Sequence, residues 1–291
     1  MLQHLNPSSV KPQRVVILGA SGFIAKNLAE RLAKEGINFI SISSREVNLL
    51  DSGSAEQLKQ ILKSGDSLVI TSALTPDKGK DVATLMKNLT MAQHIATAIE
   101  ATDLHQIIYI SSDAVYPNSA SPIRETSPRE AADLYSLMHI AREQIFQTVA
   151  GSKKTPLCIF RPSTIYGTGD THNSYGPNRF LRTAIQDKKI TLFGNGEEMR
   201  DHIHIDDVVS LLVLCLGRRS YGKLNAVTGQ ALSFHDVATK IVESLGSGIA
   251  IECNPRSSPV AHRHFDSTER IKAFPEFILK APTFTCTDFH L

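Results

Sequence analysis

Short apolar runs alternate with amphipathic stretches over the first 165 residues of the chain. The apolar runs predict strands buried on both faces, at 14–19, 37–43, 67–73, 106–112 and 156–163. The amphipathic stretches carry apolar residues three and four positions apart and predict helices, at 22–35, 54–65, 81–101 and 131–150. Strands and helices that alternate at this spacing form right-handed βαβ units. The predicted fold class is therefore α/β, with a doubly wound, mostly parallel sheet.

The alternation ends near residue 165. A loop rich in Gly, Asn and Pro follows, and the remaining pattern predicts a loop at 168–178, helices at 179–187, 206–217 and 233–245, and a strand at 190–194. The tail from Asn254 is rich in Pro, Arg and His and is expected to be irregular. We therefore expect a loose N-terminal arm at 1–13, a first domain at 14–165 to which part of 200–227 returns, and a smaller C-terminal lobe within 166–291.

Composition excludes several classes of protein. The chain has 291 residues, 42% of them hydrophobic, which is enough for a sizeable core. Its 31 Lys and Arg against 29 Asp and Glu argue against a nucleic-acid binder. The longest apolar stretch, 208–216, is too short to cross a bilayer, and the N-terminus lacks the apolar core of a signal peptide. Four cysteines without a C-x-x-C pair indicate neither a zinc site nor a disulfide framework, so we expect a cytoplasmic protein.

A glycine-rich turn follows the first predicted strand. It reads G-A-S-G-F-I-A, with small residues at Gly19, Gly22 and Ala25. In dinucleotide-binding folds such residues permit a tight turn, close approach of the backbone to a pyrophosphate, and close packing of helix on strand. The N–H groups of the new helix then face the phosphates. The position of this turn in the first βαβ unit indicates an NAD(P)-binding Rossmann domain.

The end of the second predicted strand bears on the choice between NAD and NADP. An acid there binds the adenosine ribose, whereas an arginine pairs with a 2′-phosphate. The sequence has Ser43, Ser44 and Arg45 at this place and no acid before Glu46. This pattern favours NADP(H) over NAD(H).

Five motifs in order resemble the extended short-chain dehydrogenase/reductase family, and in particular its nucleotide-sugar epimerases, dehydratases and reductases. Besides the glycine turn they are S-S-D-A-V-Y-P at 111–117, Y-S-L-M-H-I-A-R-E at 135–143, R-P-S-T-I-Y-G at 161–167 and G-N-G-E-E-M-R-D-H-I-H-I-D-D-V-V at 194–209. Asn88 also stands where these enzymes carry an asparagine. The resemblance covers residues 14–270. It implies an NAD(P)-dependent enzyme whose substrate is a nucleotide-activated sugar.

The resemblance assigns the catalytic roles. Tyr135 becomes the proton donor or acceptor for the substrate oxygen, and Ser112 becomes its hydrogen-bond partner, with Asp113 beside them. The family pattern is Tyr-x-x-x-Lys, but His139 replaces the lysine here. Positions i and i+4 share a helix face, so His139 can reach the nicotinamide ribose, but it supplies charge only when protonated. Arg142 is a candidate source of charge. Two hypotheses stay open: an active enzyme with His139 as ribose ligand, or an impaired protein that only binds NADP(H) or a nucleotide sugar.

Further binding residues follow from the same resemblance. The expected cofactor contacts are Gly19, Ser21, Gly22, Phe23, Ile24, Ser43, Ser44, Arg45, Asn48, Leu49, Ser72, Ala73, Leu74, Tyr135, His139 and Pro162. The expected substrate contacts are Asn178, Arg179, Arg200 and Arg263, because the arginines suit a diphosphate. His202 and His204 would share one face of a strand, but we expect no metal there, and instead expect Asp206 or Asp207 to cap a helix.

The residue at position 114 restricts which reactions of the family this chain is expected to catalyse. The 4,6-dehydratases carry a glutamate here, which serves water elimination, and the epimerase-reductases that make fucose precursors carry a cysteine, with a histidine near the position of Asn178. Neither acid–base group is present in this chain. The remaining interpretations are reduction of a keto group (C4) with NADPH and 4-epimerisation with bound NAD, with a dehydratase as a further alternative. The preference for NADP favours reduction. By analogy with the family, helices 81–101 and 131–150 are expected to form a homodimer interface.

Overall fold

The computed structural model describes residues 1–119, 121–170, 176–246 and 248–289. Positions 171–175, part of the loop predicted at 168–178, lie outside these residues. The strands are β1 Gln3–His4, β2 Val15–Leu18, β3 Phe39–Ile42, β4 Ser67–Ile70, β5 Gln106–Ile110, β6 Leu157–Pro162, β7 Thr164–Tyr166, β8 Lys189–Phe193, β9 Met199–His204, β10 Ser220–Ala226, β11 Ala231–Ser233 and β12 Ala250–Asn254. The α-helices are α1 Phe23–Lys34, α2 Ser54–Ile61, α3 Val82–Glu100, α4 Leu134–Lys153, α5 Pro177–Asp187, α6 Ile205–Gly217, α7 Phe234–Leu245 and α8 Thr268–Ala273. Short 3-10 helices cover Asp113–Val115 and Cys286–Phe289.

The main sheet has the order β1-β10-β6-β5-β4-β2-β3. All neighbouring pairs are parallel except β1 with β10. The strand that opens the series, β2, lies between β3 and β4, so the chain changes direction across the sheet at this point. Ligands of open α/β sheets bind in the crevice at the carboxyl ends of the strands beside such a reversal. The observed architecture confirms the predicted Rossmann-type α/β fold.

Both faces of the sheet are covered by helices. Val15 and Ile17 of β2 belong to a core that includes residues of α1 and α6. Val16 and Leu18 belong to a second core that includes residues of α2, α3 and α4. Successive side chains of a strand point to opposite faces, so a strand between two helix layers must be apolar at every position. This requirement explains why the sequence of β2 is a continuous apolar run.

The residues after β6 build a second layer of smaller sheets. One has the order β11-β9-β7, and the other pairs β12 with β8. Helices α5 and α7 pack on a separate core that includes Leu181, Leu192, Ile241 and Phe284. In contrast, β10 leaves this region and joins the main sheet beside β6.

Two terminal segments differ from the sequence expectation. The N-terminal segment is not wholly loose, because Gln3 and His4 pair with β10 and the His4 ring bonds the Ser220 hydroxyl at 2.8 Å. The tail is not wholly irregular, because it contains α8 and the 3-10 helix Cys286–Phe289. Contacts with distant residues order both segments: His4 bonds Ser220, and Phe274 and Phe284 of the tail are buried in two of the hydrophobic cores.

A buried ion pair joins α4 to the sheet. Glu143 of α4 and Arg161 of β6 are both fully buried. Arg161 donates to both carboxylate oxygens, from Nε at 2.7 Å and from Nη2 at 2.6 Å. Ser111 and Arg129 also donate to this carboxylate, at 2.6 Å and 2.9 Å. Burial alone would raise the pKa of Glu143, but these donors hold it below its ordinary value.

We expect Arg161→Met to lower the free energy of unfolding by about 3–5 kcal/mol, because it leaves the Glu143 carboxylate buried without its main partner. Denaturant unfolding measures this loss. Arg124→Met is the matched control, since Arg124 is 57% exposed and its pair with Asp266 is a surface contact; its expected cost is below about 1 kcal/mol. Equal costs for the two substitutions would contradict the structural role of the buried pair.

Candidate active site

A cleft of about 1430 Å³ opens at the carboxyl ends of the main-sheet strands. It brings together most of the site residues predicted from the sequence. Those that line it are Gly19, Ser21, Gly22, Phe23, Ile24, Ser43, Ser44, Asn48, Leu49, Ser72, Ala73, Leu74, Ser112, Asp113, Tyr135, His139, Pro162, Arg200 and Arg263. Arg45, Asn178 and Arg179 are not among its lining residues.

The glycine turn fits a dinucleotide phosphate. Gly19 has φ +99°, and a Cβ at this position would lie 2.7 Å from the backbone nitrogen of Ser72. Only glycine therefore lets the end of β2 approach the end of β4 this closely. Gly22 is the N-cap of α1 and provides no side-chain cap, which leaves the first N–H groups of the helix free to bind an anion at the cleft.

Asn88 shapes the next part of the cleft from α3. Its Oδ1 accepts from Leu74 N at 2.8 Å, and its Nδ2 donates to Leu74 O at 3.0 Å. Asn88 thereby holds the loop after β4, which carries Ser72 and Ala73 into the cleft. The asparagine singled out in the sequence is buried and acts on the backbone.

The end of β3 was expected to bind a 2′-phosphate, but an acidic side chain lies there in the structure. The Glu46 carboxylate turns back and accepts from Ser43 N at 2.8 Å and from Ser43 Oγ at 2.5 Å. These hydrogen bonds lower the pKa of Glu46. Arg45 is exposed. An acid therefore lies at the strand end, although it is three residues later in the sequence than the strand-end position.

Ser112 and Tyr135 meet at the inner end of the cleft. Ser112 follows β5 and caps the short helix Asp113–Val115, where its Oγ accepts from Ala114 N at 3.1 Å. Tyr135 lies in the first turn of α4, which begins with a capping box between Asp133 and Ser136. Burial raises the pKa of Tyr135 to about 12, and a hydrogen bond with Ser112 opposes this shift. The phenol is therefore protonated at neutral pH and is able to act as an acid.

His139 lies one helical turn beyond Tyr135, and the two rings meet edge to face with centroids 4.7 Å apart. His139 is 3% exposed. Burial lowers its pKa to about 3, and the charge of Arg142 acts in the same direction. His139 is therefore neutral at physiological pH and supplies no positive charge to Tyr135.

Tyr109 selects the tautomer of His139. Burial raises the pKa of the Tyr109 phenol, so its proton stays in place and must be donated. Its hydroxyl lies 2.8 Å from His139 Nδ1. Nδ1 is then the acceptor and Nε2 carries the hydrogen, but Nε2 has no partner within the described residues. This unsatisfied donor at the cleft suits a hydroxyl group of a bound cofactor ribose.

Of the three arginines expected to bind substrate, the two that line the cleft already have protein partners. Arg263 Nε donates to Asp113 Oδ2 at 3.1 Å, and Nη1 donates to Asn118 Oδ1 at 3.2 Å. Arg200 donates to Ala261 O at 2.5 Å and pairs with Glu198. Arg263 therefore holds the loop that carries Ser112 in place. Arg200 lines the cleft, but its two terminal guanidinium nitrogens already contact Ala261 O and Glu198.

The other predicted residues of the second lobe have structural contacts. Asn178 is buried and bonds both the N–H and the carbonyl of Gly167, at 3.1 Å and 2.8 Å. It holds the turn after β7. Arg179 lies beside it at the start of α5. These positions do not place either residue at the lining of the cleft.

The histidines of β9 lie in the aromatic core of the second lobe. His202 is buried against Phe234 and Phe284, and burial lowers its pKa to about 3. His204 is the N-cap of α6 and accepts from Asp206 N at 3.2 Å. The predicted cap by Asp206 or Asp207 is therefore wrong, because α6 begins at Ile205, before both acids. Within residues 1–119, 121–170, 176–246 and 248–289, His, Cys, Asp and Glu form no group of three or more placed to hold a metal ion.

The sequence pattern indicated no role for three residues that contact site residues without lining the cleft, Tyr109, Glu46 and Glu198. Tyr109 belongs to a strand predicted as apolar, and its hydroxyl is the only sequence signal of a polar role. Glu46 is the first acid after β3, but only the turn at 43–46 brings it back to the strand end. Glu198 is 8% exposed and pairs with both Arg200 and Arg256. A buried carboxylate between two arginines is not visible in a local motif.

We expect the stability cost of His139→Gln to shrink by about 2 kcal/mol between pH 7 and pH 5. The pKa of His139 is about 3 in the folded protein against 6.5 for the free side chain, so only the unfolded chain gains this proton as the pH falls below 6.5. The stability that depends on neutral His139 is complete above pH 6.5 and is lost toward pH 3.

Urea unfolding of wild type and variant at both pH values measures this change. His264→Gln is the control, because His264 is exposed. A difference between wild type and His139→Gln that stays constant from pH 7 to pH 5 would contradict the neutral, buried state of His139.

The amino-acid sequence of this chain is similar to those of known proteins. The model of the NAD dependent epimerase/dehydratase family matches residues 15–226, more than half of the chain. A curated relative, the dTDP-D-glucose 4,6-dehydratase of Dictyostelium discoideum, is 24% identical over 268 residues, which cover 79% of this chain and 62% of the relative. The chain thus spans less than two thirds of that relative's length.

Solved structures share the fold at low identity. The UDP-glucose 4-epimerase of Thermus thermophilus in complex with NAD has a TM-score of 0.80 at 19% identity, and the match covers 95% of this chain and 99% of the epimerase. A GDP-L-fucose synthetase of Naegleria fowleri bound to NADP has a TM-score of 0.83 at 15% identity, and the match covers 98% of this chain and 96% of the synthetase. No helix in the described part of this chain is both long and apolar enough to span a membrane.

Proposed function

Since the chain belongs to the NAD-dependent epimerase/dehydratase family, we propose that it reduces a keto group, at C4, of a nucleotide-activated sugar with NADPH. The observation that carries the proposal is the state of the groups around Tyr135. Asp113 is engaged by Arg263, Ala114 has no acid–base group, and His139 is neutral. Tyr135, which lines the cleft together with Ser112, is the acid that this end of the cleft offers to a substrate oxygen. Elimination of water would need a further base.

The chain's own residues hold the reactants and move the proton. The α1 N-terminus and the glycine turn would hold the dinucleotide phosphates, and the Nε2–H of His139 would be available to a ribose hydroxyl. NADPH, when bound, would be the source of the hydride for the carbonyl carbon. Tyr135 transfers its phenolic proton to the carbonyl oxygen, which Ser112 orients, and the product is an alcohol. The phenolate then regains a proton from solvent, so the protein returns to its starting state.

Glu46 supports a second candidate, a 4-epimerase with retained NAD. An acid at the end of the second strand of a dinucleotide fold binds the adenosine ribose hydroxyls and repels a 2′-phosphate. The Glu46 carboxylate lies beside the end of β3 through its bonds with Ser43. In this reaction Tyr135 first takes a proton from the substrate hydroxyl and later returns it. The identity of the nucleotide that the purified protein retains distinguishes the epimerase from the reductase.

We expect freshly purified protein to release no stoichiometric NAD(H) on denaturation, and to oxidise NADPH when a 4-keto sugar nucleotide is added. Tyr135→Phe should lower kcat by roughly 10²–10⁴-fold while the Kd for NADPH changes little, because the phenol moves the proton but does not hold the phosphates. Tyr221→Phe is the control, since Tyr221 bonds Gln3 at the edge of β10, away from the cleft.

Mass spectrometry of the released nucleotide and the loss of NADPH absorbance are the two readouts. Release of stoichiometric NAD or NADH would contradict the proposed reduction and would support epimerisation. Tight binding of NADP(H) with no turnover of any 4-keto sugar nucleotide would also contradict the proposed reduction. It would support a binding protein without redox activity.

We also propose that the chain forms a homodimer through α3 and α4. These helices pack side by side, and their outer surface exposes Val82 at 63%, Met86 at 54% and Leu137 at 40%. Exposed apolar side chains on adjoining helices favour contact with a second apolar surface, and a twofold axis lets the same patch serve both subunits.

We expect Met86→Arg to convert the dimer into a monomer, because it places a charge among the apolar side chains of the proposed interface. Sedimentation velocity at equal protein concentration measures the change in mass. Ile278→Arg is the matched control, since Ile278 is 88% exposed in the tail, outside α3 and α4. A wild-type protein that sediments as a monomer would exclude the proposed interface.

A further inference from the structure

Arg142 is a buried cation next to the catalytic end of α4. Its side chain is completely buried. The guanidinium lies over the ring of Tyr109, 5.3 Å from the centroid, and over the ring of Phe146, 5.8 Å from the centroid. Tyr109 in turn contacts His139, and His139 contacts Tyr135. Arg142 is thus linked to the acid of the proposed reaction through two aromatic side chains.

Few groups compensate the charge of Arg142. Its one hydrogen bond runs from Nη1 to Asn88 Oδ1 at 3.3 Å. Nε and Nη2 have no acceptor, and no carboxylate lies within ion-pair distance, among the residues that the structure describes. Arg161, which is equally buried, instead has a bidentate carboxylate partner. Among the described residues, Arg142 therefore has fewer polar partners than Arg161, and its further contacts are with the Tyr109 and Phe146 rings.

The charges around Tyr135 indicate what this cation does. Asp113 and Asp133 both disfavour a negative charge on the phenol. The hydrogen bond with Ser112 and the charge of Arg142 favour it. His139 and Tyr109 are neutral at physiological pH, and the charge of Glu143, which also acts on Tyr109, is paired with Arg161. Arg142 therefore supplies positive charge that its neutral neighbour His139 lacks.

We propose that Arg142 is a positioning residue that stabilises the phenolate of Tyr135 through the buried aromatic cluster of Tyr109 and His139. This inference rests on the proposed acid role of Tyr135. When the Tyr135 proton passes to the substrate oxygen, the phenolate that remains lies in a region of low dielectric, where a nearby cation acts strongly. Arg142 keeps its own proton throughout, because an arginine side chain does not deprotonate in proteins.

Titration of Tyr135 in the intact protein tests the proposal without any substrate. The protein is labelled with 3-fluorotyrosine, because fluorine beside the hydroxyl lowers the pKa of a phenol and so brings its titration closer to neutral pH. Fluorine NMR follows the six tyrosines through the pH range, and Tyr135→Phe identifies the resonance of Tyr135. Arg142→Met removes the charge, Arg142→Lys retains it, and Arg129→Met removes a cation that is paired with Glu143.

We expect Arg142→Met to raise the titration midpoint of Tyr135 by about one pH unit or more. Arg142→Lys should leave the midpoint closer to that of wild type than Arg142→Met does, and Arg129→Met should leave it unchanged. Arg142→Met should also fold with a Tm equal to or above that of wild type, since Asn88 Oδ1 still accepts from Leu74 N and no charged partner loses its counterion.

An unchanged midpoint in Arg142→Met would overturn the proposal, and so would loss of folding in that variant, because the cation would then be structural. The result is independent of the reaction assay. If the titration shifts as expected but no sugar nucleotide is turned over, only the proposed function fails. If turnover is observed but the midpoint does not move, only the role of Arg142 fails.

Discussion

The buried pair of Glu143 and Arg161 is the interaction on which the catalytic end of the molecule depends. Residues four apart lie on one face of a helix, so Tyr135, His139 and Glu143 follow one another along the same side of α4. The bidentate contact with Arg161 fixes the rotation of this helix against β6. The same carboxylate accepts from Ser111, which directly precedes Ser112. One buried charge thus positions both the phenol and the hydroxyl that faces it.

The cations near the cleft have different surroundings, and these decide what each can do. Arg161 and Arg263 are neutralised by Glu143 and Asp113, so they hold elements in place. Arg200 shares the Glu198 carboxylate with Arg256 at the substrate side. Arg142 has no carboxylate partner among the described residues and lies beside Tyr135. Burial strengthens all these effects, because water does not screen them.

Local pattern was sufficient for most of the fold. The helices α1, α3, α6 and α7 begin and end within about two residues of the predicted bounds, because their apolar periodicity and their flanking polar residues are local properties. The failures lie where distant partners decide. Gln3 and His4 form a strand because β10 offers a free edge, and α6 begins at Ile205 because the His204 ring, held at the end of β9, supplies the cap.

The alternating α/β order, the glycine turn after β2 and most of the residues at the cleft follow from the amino-acid sequence alone, because short-range periodicity and motif spacing encode them. The electrostatic state of these residues follows instead from the folded chain. Folding brings Glu46 back to Ser43, pairs Arg263 with Asp113, and makes His139 neutral by burying it against Tyr109. Charge and protonation depend on burial and on partners far away in the chain, so no local pattern of residue types contains them.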